Sequence, residues 1–112
     1  MASKNYFMNG TTELLVLSLL KTHDRYVYEI VKAIEDLSGG LLDISQNTIY
    51  TATYKLESDD MISEYPKLVG KKRTRIYYHI EPKGLEYLKE LKEIYLNTTE
   101  GINKIIDNID NH

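Results

Sequence analysis

The last third of this chain constrains its fold most, because it carries an apolar stripe too long for one small domain to cover. From Pro82 onward, Leu85, Leu88, Leu91 and Tyr95 recur at helical spacing. Tyr87, Ile94 and Leu96 widen the stripe, and Ile102, Ile105, Ile106 and Ile109 continue it. Proline after Glu81 suits a first helical position, where its missing N–H would have no partner. Unbroken to Ile109, the helix would run roughly 40 Å at ~1.5 Å per residue. Asn97-Thr98-Thr99 and Gly101 weaken it midway, so a kink or break there stays open. The whole chain has 112 residues, enough for one core with a thin margin. The rest of the stripe needs another surface, and a symmetric copy is the commonest supplier. Residues 82–112 are therefore expected to be a dimerisation helix, with Leu85, Leu88, Leu91, Tyr95, Ile102, Ile105, Ile106 and Ile109 facing a second copy.

Upstream, residues 1–9 are polar and expected to be a flexible N-terminus. Residues 10–81 read as one domain. The run from Thr12 to Leu20 is apolar enough for a buried helix, with Glu13 and Ser18 on its wetter side and Thr11 or Thr12 as cap. A second helix is predicted from Tyr26 to Leu37, with Tyr28, Ile30, Val31, Ile34 and Leu37 on one face. Ser38-Gly39-Gly40 ends it, glycine supplying the left-handed turn. A third helix starts after Ser45, a good N-cap. Ile49, Ala52, Thr53 and Leu56 form its apolar face. Its other face reads Asn47, Tyr50, Thr51, Tyr54, Lys55 and Ser58. That face is polar and aromatic with no acidic residue, unusual for a helix that merely meets water.

Two β-type segments follow. Met61 to Tyr65 alternates enough for a strand, which Pro66 disturbs. Arg75 to Ile80 alternates with Ile76, Tyr78 and Ile80 on one side. Between them, PKLVGKKR has the glycine and charge of a hairpin tip. An antiparallel hairpin with its basic residues at the turn is expected.

Charge is unevenly spread. The chain carries a net −3, and Pro66 to Ile80 alone carries +5 (Lys67, Lys71, Lys72, Arg73, Arg75), which leaves −8 elsewhere. Taken alone, such a run is more readily a solvated loop than a phosphate contact. There is no cysteine, so disulfides and thiolate metal sites are excluded. The first residues lack the basic start and apolar run of a secretory leader. No apolar stretch approaches the ~20 residues of a membrane span. A cytoplasmic protein is expected. His23, His79 and His112 are scattered, and no metal-ligand cluster, phosphate-cradling loop, nucleophile elbow or carboxylate pair points to an enzyme or a cofactor.

The predicted architecture is mainly α with a small β-hairpin: three helices, a hairpin, then a long helix. This is the order of a winged helix-turn-helix followed by a dimerisation helix. A helix of this kind fits the DNA major groove, about 12 Å wide. The basic wing then meets phosphates beside it. Gln46, Asn47, Thr48, Tyr50, Thr51, Tyr54 and Lys55 become the expected DNA contacts on the third helix. Lys71, Lys72, Arg73 and Arg75 become the expected phosphate contacts on the wing. A protein-binding winged helix that never meets DNA is the alternative from a different class.

Asn47-Thr48-Ile49-Tyr50, Leu56-Glu57 and Met61-Ile62 resemble the recognition-helix signature of the PadR family of transcriptional regulators. Tyr26-Val27-Tyr28-Glu29-Ile30, the wing Lys71-Lys72-Arg73 through Tyr77-Tyr78, and Pro82-Lys83-Gly84 resemble the family as well. The likeness runs from about Gly10 to Gly84. Val27, Thr51 and Asp60 depart from it, standing where the family often has Gly, Pro and Gly. Asp60 falls where a left-handed residue is favoured. With one C-terminal helix the chain resembles the short subgroup. That resemblance implies a homodimeric repressor of a two-fold double-stranded operator. It also implies a planar aromatic effector held between subunits, with Tyr95 at about the stacking position.

Overall fold

The computed structural model describes residues 10–111; the segment 1–9 and His112 lie outside the described residues. Helix α1 spans Thr12–Thr22 and buries Val16, Leu17, Leu19 and Leu20. Apolar residues on several sides make it the central helix, against which the other three helices and one strand of the sheet pack. Glu13 is not on a wet side. Its side chain is 17% exposed and lies against Lys55 and Tyr87.

A short strand β1, Arg25–Tyr26, precedes helix α2, Val27–Leu37. The spacing predicts Tyr26 inside the helix. It is instead extended, and its N–H donates to the Glu29 carboxylate at 3.3 Å, which fixes the helix start at Val27. Val27, Ile30 and Ile34 are buried as the spacing predicts. Tyr28 and Leu37 depart from that face. Tyr28 turns outward beside the Tyr26 ring. Leu37, 75% exposed, lines an open groove with Leu15, Leu19 and Leu42. The helix ends through Gly39 and Gly40, at φ 63° and 81°, with the Gly40 N–H on the Glu35 carbonyl.

Helix α3, Gln46–Ser58, is capped by Ser45, whose Oγ accepts from the Thr48 N–H at 3.2 Å. Ile49, Ala52, Thr53 and Leu56 are buried. The Thr53 hydroxyl, in the core, donates to the Tyr50 carbonyl at 3.0 Å, so it is not left unpaired. Past the helix Asp60 takes φ 60°, the left-handed position at which glycine is favoured.

Strands β2, Ile62–Val69, and β3, Arg73–Ile80, pair in regular antiparallel register from Ile62↔Ile80 to Val69↔Arg73. β1 adds to the other side of β3, giving the order β1-β3-β2. Pro66 does not interrupt β2. It stands in an edge strand opposite Ile76, where a missing N–H need not cost a ladder bond. One sheet face carries Ile62, Tyr78 and Ile80 into the core.

Helix α4 is continuous from Pro82 to Asp110, 29 residues, so neither Asn97-Thr98-Thr99 nor Gly101 breaks it. An exposed glycine costs a helix only ~1 kcal/mol, too little to interrupt one this long. Gly84 lets it leave the body: a Cβ there would overlap the Met61 carbonyl and press on Ile80. Leu88, expected at a subunit interface, is 5% exposed and belongs to this chain's own core, with Leu91 packed partly against it. The helix packs on α1, and the neighbouring Tyr87 donates to Glu13 of that helix. Beyond them Ile94, Tyr95, Leu96, Ile102, Ile105, Ile106 and Ile109 are all exposed.

Candidate nucleic-acid interface

Helix α3 lies with its apolar face on the core, so its other face must point outward. Gln46, Asn47, Thr48, Tyr50, Thr51, Tyr54 and Lys55 are all exposed there. Tyr50 and Tyr54 are 53% and 76% exposed and so are not core aromatics. Two hydroxyls are turned back on the helix. Thr51 Oγ1 donates to the Asn47 carbonyl at 3.0 Å, and Thr48 Oγ1 meets Ser45 Oγ at 2.9 Å. Thr51 thereby has its hydroxyl proton engaged within the helix.

Lys55 is exposed but engaged. Its Nζ lies 3.3 Å from Glu13 Oε1, and Glu13 also accepts from the Tyr87 hydroxyl at 3.1 Å. The hydrogen bond and charge of Glu13 raise the Lys55 pKa. An exposed pair of this kind is held weakly because water screens it, so the ammonium can be drawn away by a stronger anion.

The hairpin distributes its cations in two places. Lys71 and Lys72 stand in the turn at 70–72, exposed, with Arg73 opening β3. Arg75 is not at the turn. It pairs with Lys67, lies 4.3 Å over the Tyr26 ring and donates to the Tyr26 hydroxyl. Lys67 sits 5.0 Å over the Tyr77 ring. By strand alternation, Lys67, Arg73 and Arg75 share the sheet face opposite the core. At the hairpin's root, Asp24 accepts from Tyr65 and pairs with His79.

Between α3 and the sheet runs a groove of about 400 Å³, lined by Tyr50, Thr51, Thr53, Tyr54, Glu57, Glu64 and Tyr78. Part of the outward face of α3 and the wing residues Glu64 and Tyr78 therefore line one cleft. Glu57 Oε2 is buried there without a hydrogen-bond partner. Burial, and then the facing Glu64, push the Glu57 carboxyl above its usual range. Among the described residues no three His, Asp or Glu side chains converge as metal ligands.

An outward polar helix beside a cationic hairpin is the framework of a winged-helix regulator, and residues 16–90 match the model of the transcriptional regulator PadR-like family. The chain belongs to the PadR-like family of transcriptional regulators. Members of this family are regulators, not enzymes.

Solved structures agree with that assignment. A transcriptional regulator from Clostridium thermocellum is 35% identical, with a TM-score of 0.81 over 93% of this chain and 97% of that one. A PadR family regulator from Eggerthella lenta is 30% identical, with a TM-score of 0.78 over 90% of this chain and 86% of that one. Bacillus subtilis PadR, solved in complex with operator DNA, is 20% identical, with a TM-score of 0.65 over 74% of this chain and 46% of that one. At that identity the likeness is one of fold.

Three features of this PadR-like regulator escape sequence reading. Glu57 falls within the family signature, but nothing in the sequence pairs it with Glu64, and the fold sets the two in one groove. Lys55 and Glu13 are paired from two helices distant in sequence. Asp24 meets residues 41 and 55 positions away. In each case ordinary polar or charged side chains become a site only through tertiary packing.

Proposed function

We propose that this regulator is a homodimeric repressor of a two-fold DNA operator, relieved by a planar aromatic effector held beside Tyr95. One observation carries the reading: the chain exposes an uncharged polar helix face beside a cationic hairpin, and also an apolar helix that its own body leaves bare. Residues 10–81 serve DNA and α4 serves the second copy. In each protomer Gln46, Asn47, Thr48, Tyr50 and Thr51 reach bases or nearby backbone. Tyr54, Lys55, Lys71, Lys72 and Arg73 meet phosphates. Arg75 steadies the wing from below while adding positive charge. Operator DNA bound to Bacillus subtilis PadR lends this reading a precedent within the fold.

The α4 stripe from Ile94 to Ile109, together with Leu85, packs on a symmetric copy. An apolar cavity of about 530 Å³ opens between α1 and α4, lined among others by Leu14, Leu15, Leu91, Ile94, Tyr95 and Ile102. Flat aromatic rings suit such a wall, stacking on Tyr95 near the dimer axis. Filling it changes the spacing of the two recognition helices.

In-vitro selection of duplexes from random sequence tests the DNA part. Two-fold-related half-sites about one helical turn or a multiple apart are expected. Light scattering should report a dimer. Planar dyes should quench tyrosine fluorescence in the parent, not in Tyr95→Ala, and should weaken duplex binding. A monomer that retains no duplex, even at low salt, overturns the reading in favour of a protein-binding winged helix.

A further inference from the structure

The groove beside α3 poses a problem for a surface meant to meet phosphates. It holds two carboxyls and, among its lining residues, no Lys, Arg or His. Glu57 comes from α3 and Glu64 from β2. The other titratable groups facing them are the hydroxyls of Tyr50 and Tyr54 from α3 and of Tyr78 from β3. Three cations of α3 and the sheet are engaged elsewhere. Lys55 is held by Glu13, and Lys67 and Arg75 lie over tyrosine rings on the opposite face of the sheet. One oxygen of Glu57 is out of water and without a hydrogen-bond donor.

The walls of this groove are the expected DNA contacts themselves. Tyr50, Thr51 and Tyr54 line it, so a duplex touching them lies across its mouth. Phosphates then add negative charge over two carboxyls already set against each other, and the duplex displaces the water that screens them. Both changes penalise the charged carboxylates.

We propose that Glu57 and Glu64 together take up a proton as duplex DNA closes over this groove, so that the regulator holds DNA more tightly as the medium becomes more acidic. The proposal rests on the DNA-binding reading above. The sign follows from linkage. The DNA-bound state holds the proton more firmly than the free state, so binding strengthens as pH falls from the bound-state pKa toward the free one. Burial and Glu64 already place the free Glu57 carboxyl above the ordinary glutamate range, which moves the effect toward neutral pH. Each protomer carries one such pair, so a dimer takes up as many as two protons.

The experiment uses the full chain and a duplex obtained by in-vitro selection at pH 6, with fluorescence anisotropy from pH 5.5 to 8 at fixed ionic strength. The parent should bind several-fold more tightly at pH 5.5 than at 7.5, about tenfold being the ceiling for a one-unit change in one carboxyl's affinity for protons. Glu57→Gln should bind at pH 7.5 nearly as tightly as the parent does in acid, with its pH slope flattened. Glu64→Gln, altered at an exposed strand position, should do the same and serves if Glu57→Gln melts early. His23→Gln should keep the parent's slope, because that ring lies outside the groove. A parent that binds equally at every pH, or carboxyl variants that keep its slope, overturns the proton uptake while leaving DNA binding intact. Failure to select any duplex removes the DNA reading and this proposal with it.

Discussion

Tyr65 donates its hydroxyl to Asp24 Oδ2 at 2.7 Å, fastening the wing to the turn between α1 and β1 across 41 residues of sequence. His79 holds the other oxygen of Asp24 at 2.8 Å. Tyr65 lies opposite Tyr77, and His79 opposite Ser63, so both strands of the wing are tied at their root to one carboxylate. The wing's root is thereby held by polar contacts in addition to Ile62, Tyr78 and Ile80 in the core.

This tie has a pH signature. Burial works against the Asp24 charge, but hydrogen bonds from Tyr65 and His79 outweigh it and hold the carboxyl below its ordinary value of 3.8. Its contribution to stability is present above that value and is lost as pH falls through the depressed one. The Tyr65 hydroxyl, held by Asp24, is pushed up to about 12. Its contribution is complete below about pH 10 and is lost as pH rises toward 12. Asp24→Asn should lower stability by about 1 kcal/mol at neutral pH and flatten the acid limb of a plot of melting temperature against pH. Tyr65→Phe should flatten the alkaline limb.

Gly84 should tolerate no side chain. Its Cβ position is occupied by the Met61 carbonyl, a backbone group that cannot rotate aside. Gly84→Ala should cost about 1–3 kcal/mol in urea denaturation, although alanine favours helices. An unchanged midpoint would mean that α4 leaves the body at another angle.

The two parts of the DNA surface should fail differently. Lys72→Ala with Arg73→Ala should weaken binding by a similar factor for every duplex and lower the salt slope by about 1 for each phosphate no longer neutralised. Thr51→Ala removes a methyl and a hydroxyl from the outward face of α3 and should change which bases are preferred. Binding measured over a range of salt, together with repeated in-vitro selection, distinguishes them.

The bare end of α4 should hold the dimer together without holding the monomer together. Ile105 is 62% exposed and Ile106 49% exposed within one chain. Ile105→Glu with Ile106→Glu should shift light scattering from dimer to monomer. Circular dichroism should retain the helices that pack on α1. Loss of the whole fold would mean that the monomer has no independent stability.

Much of this was legible in the residues because it depends on local periodicity. The spacing of Ile49, Ala52, Thr53 and Leu56 dictated which side of α3 turns inward, and therefore that Asn47, Thr51 and Tyr54 turn out. Ser45, Gly39, Gly40 and Pro82 marked helix ends through backbone chemistry acting over a few residues. Contacts between distant segments were not legible. Nothing around Arg25 announces a strand, because β1 is two residues long and exists only by pairing with β3. Leu88 and Ile105 belong to the same sequence stripe, yet one is buried in the core and the other is exposed. The meeting of the Glu57 and Glu64 carboxyls likewise carried no signal, although Glu57 lies within the family signature. Short-range geometry is written in the order of side chains, whereas the charge each one finally faces depends on which strand or helix the fold brings alongside.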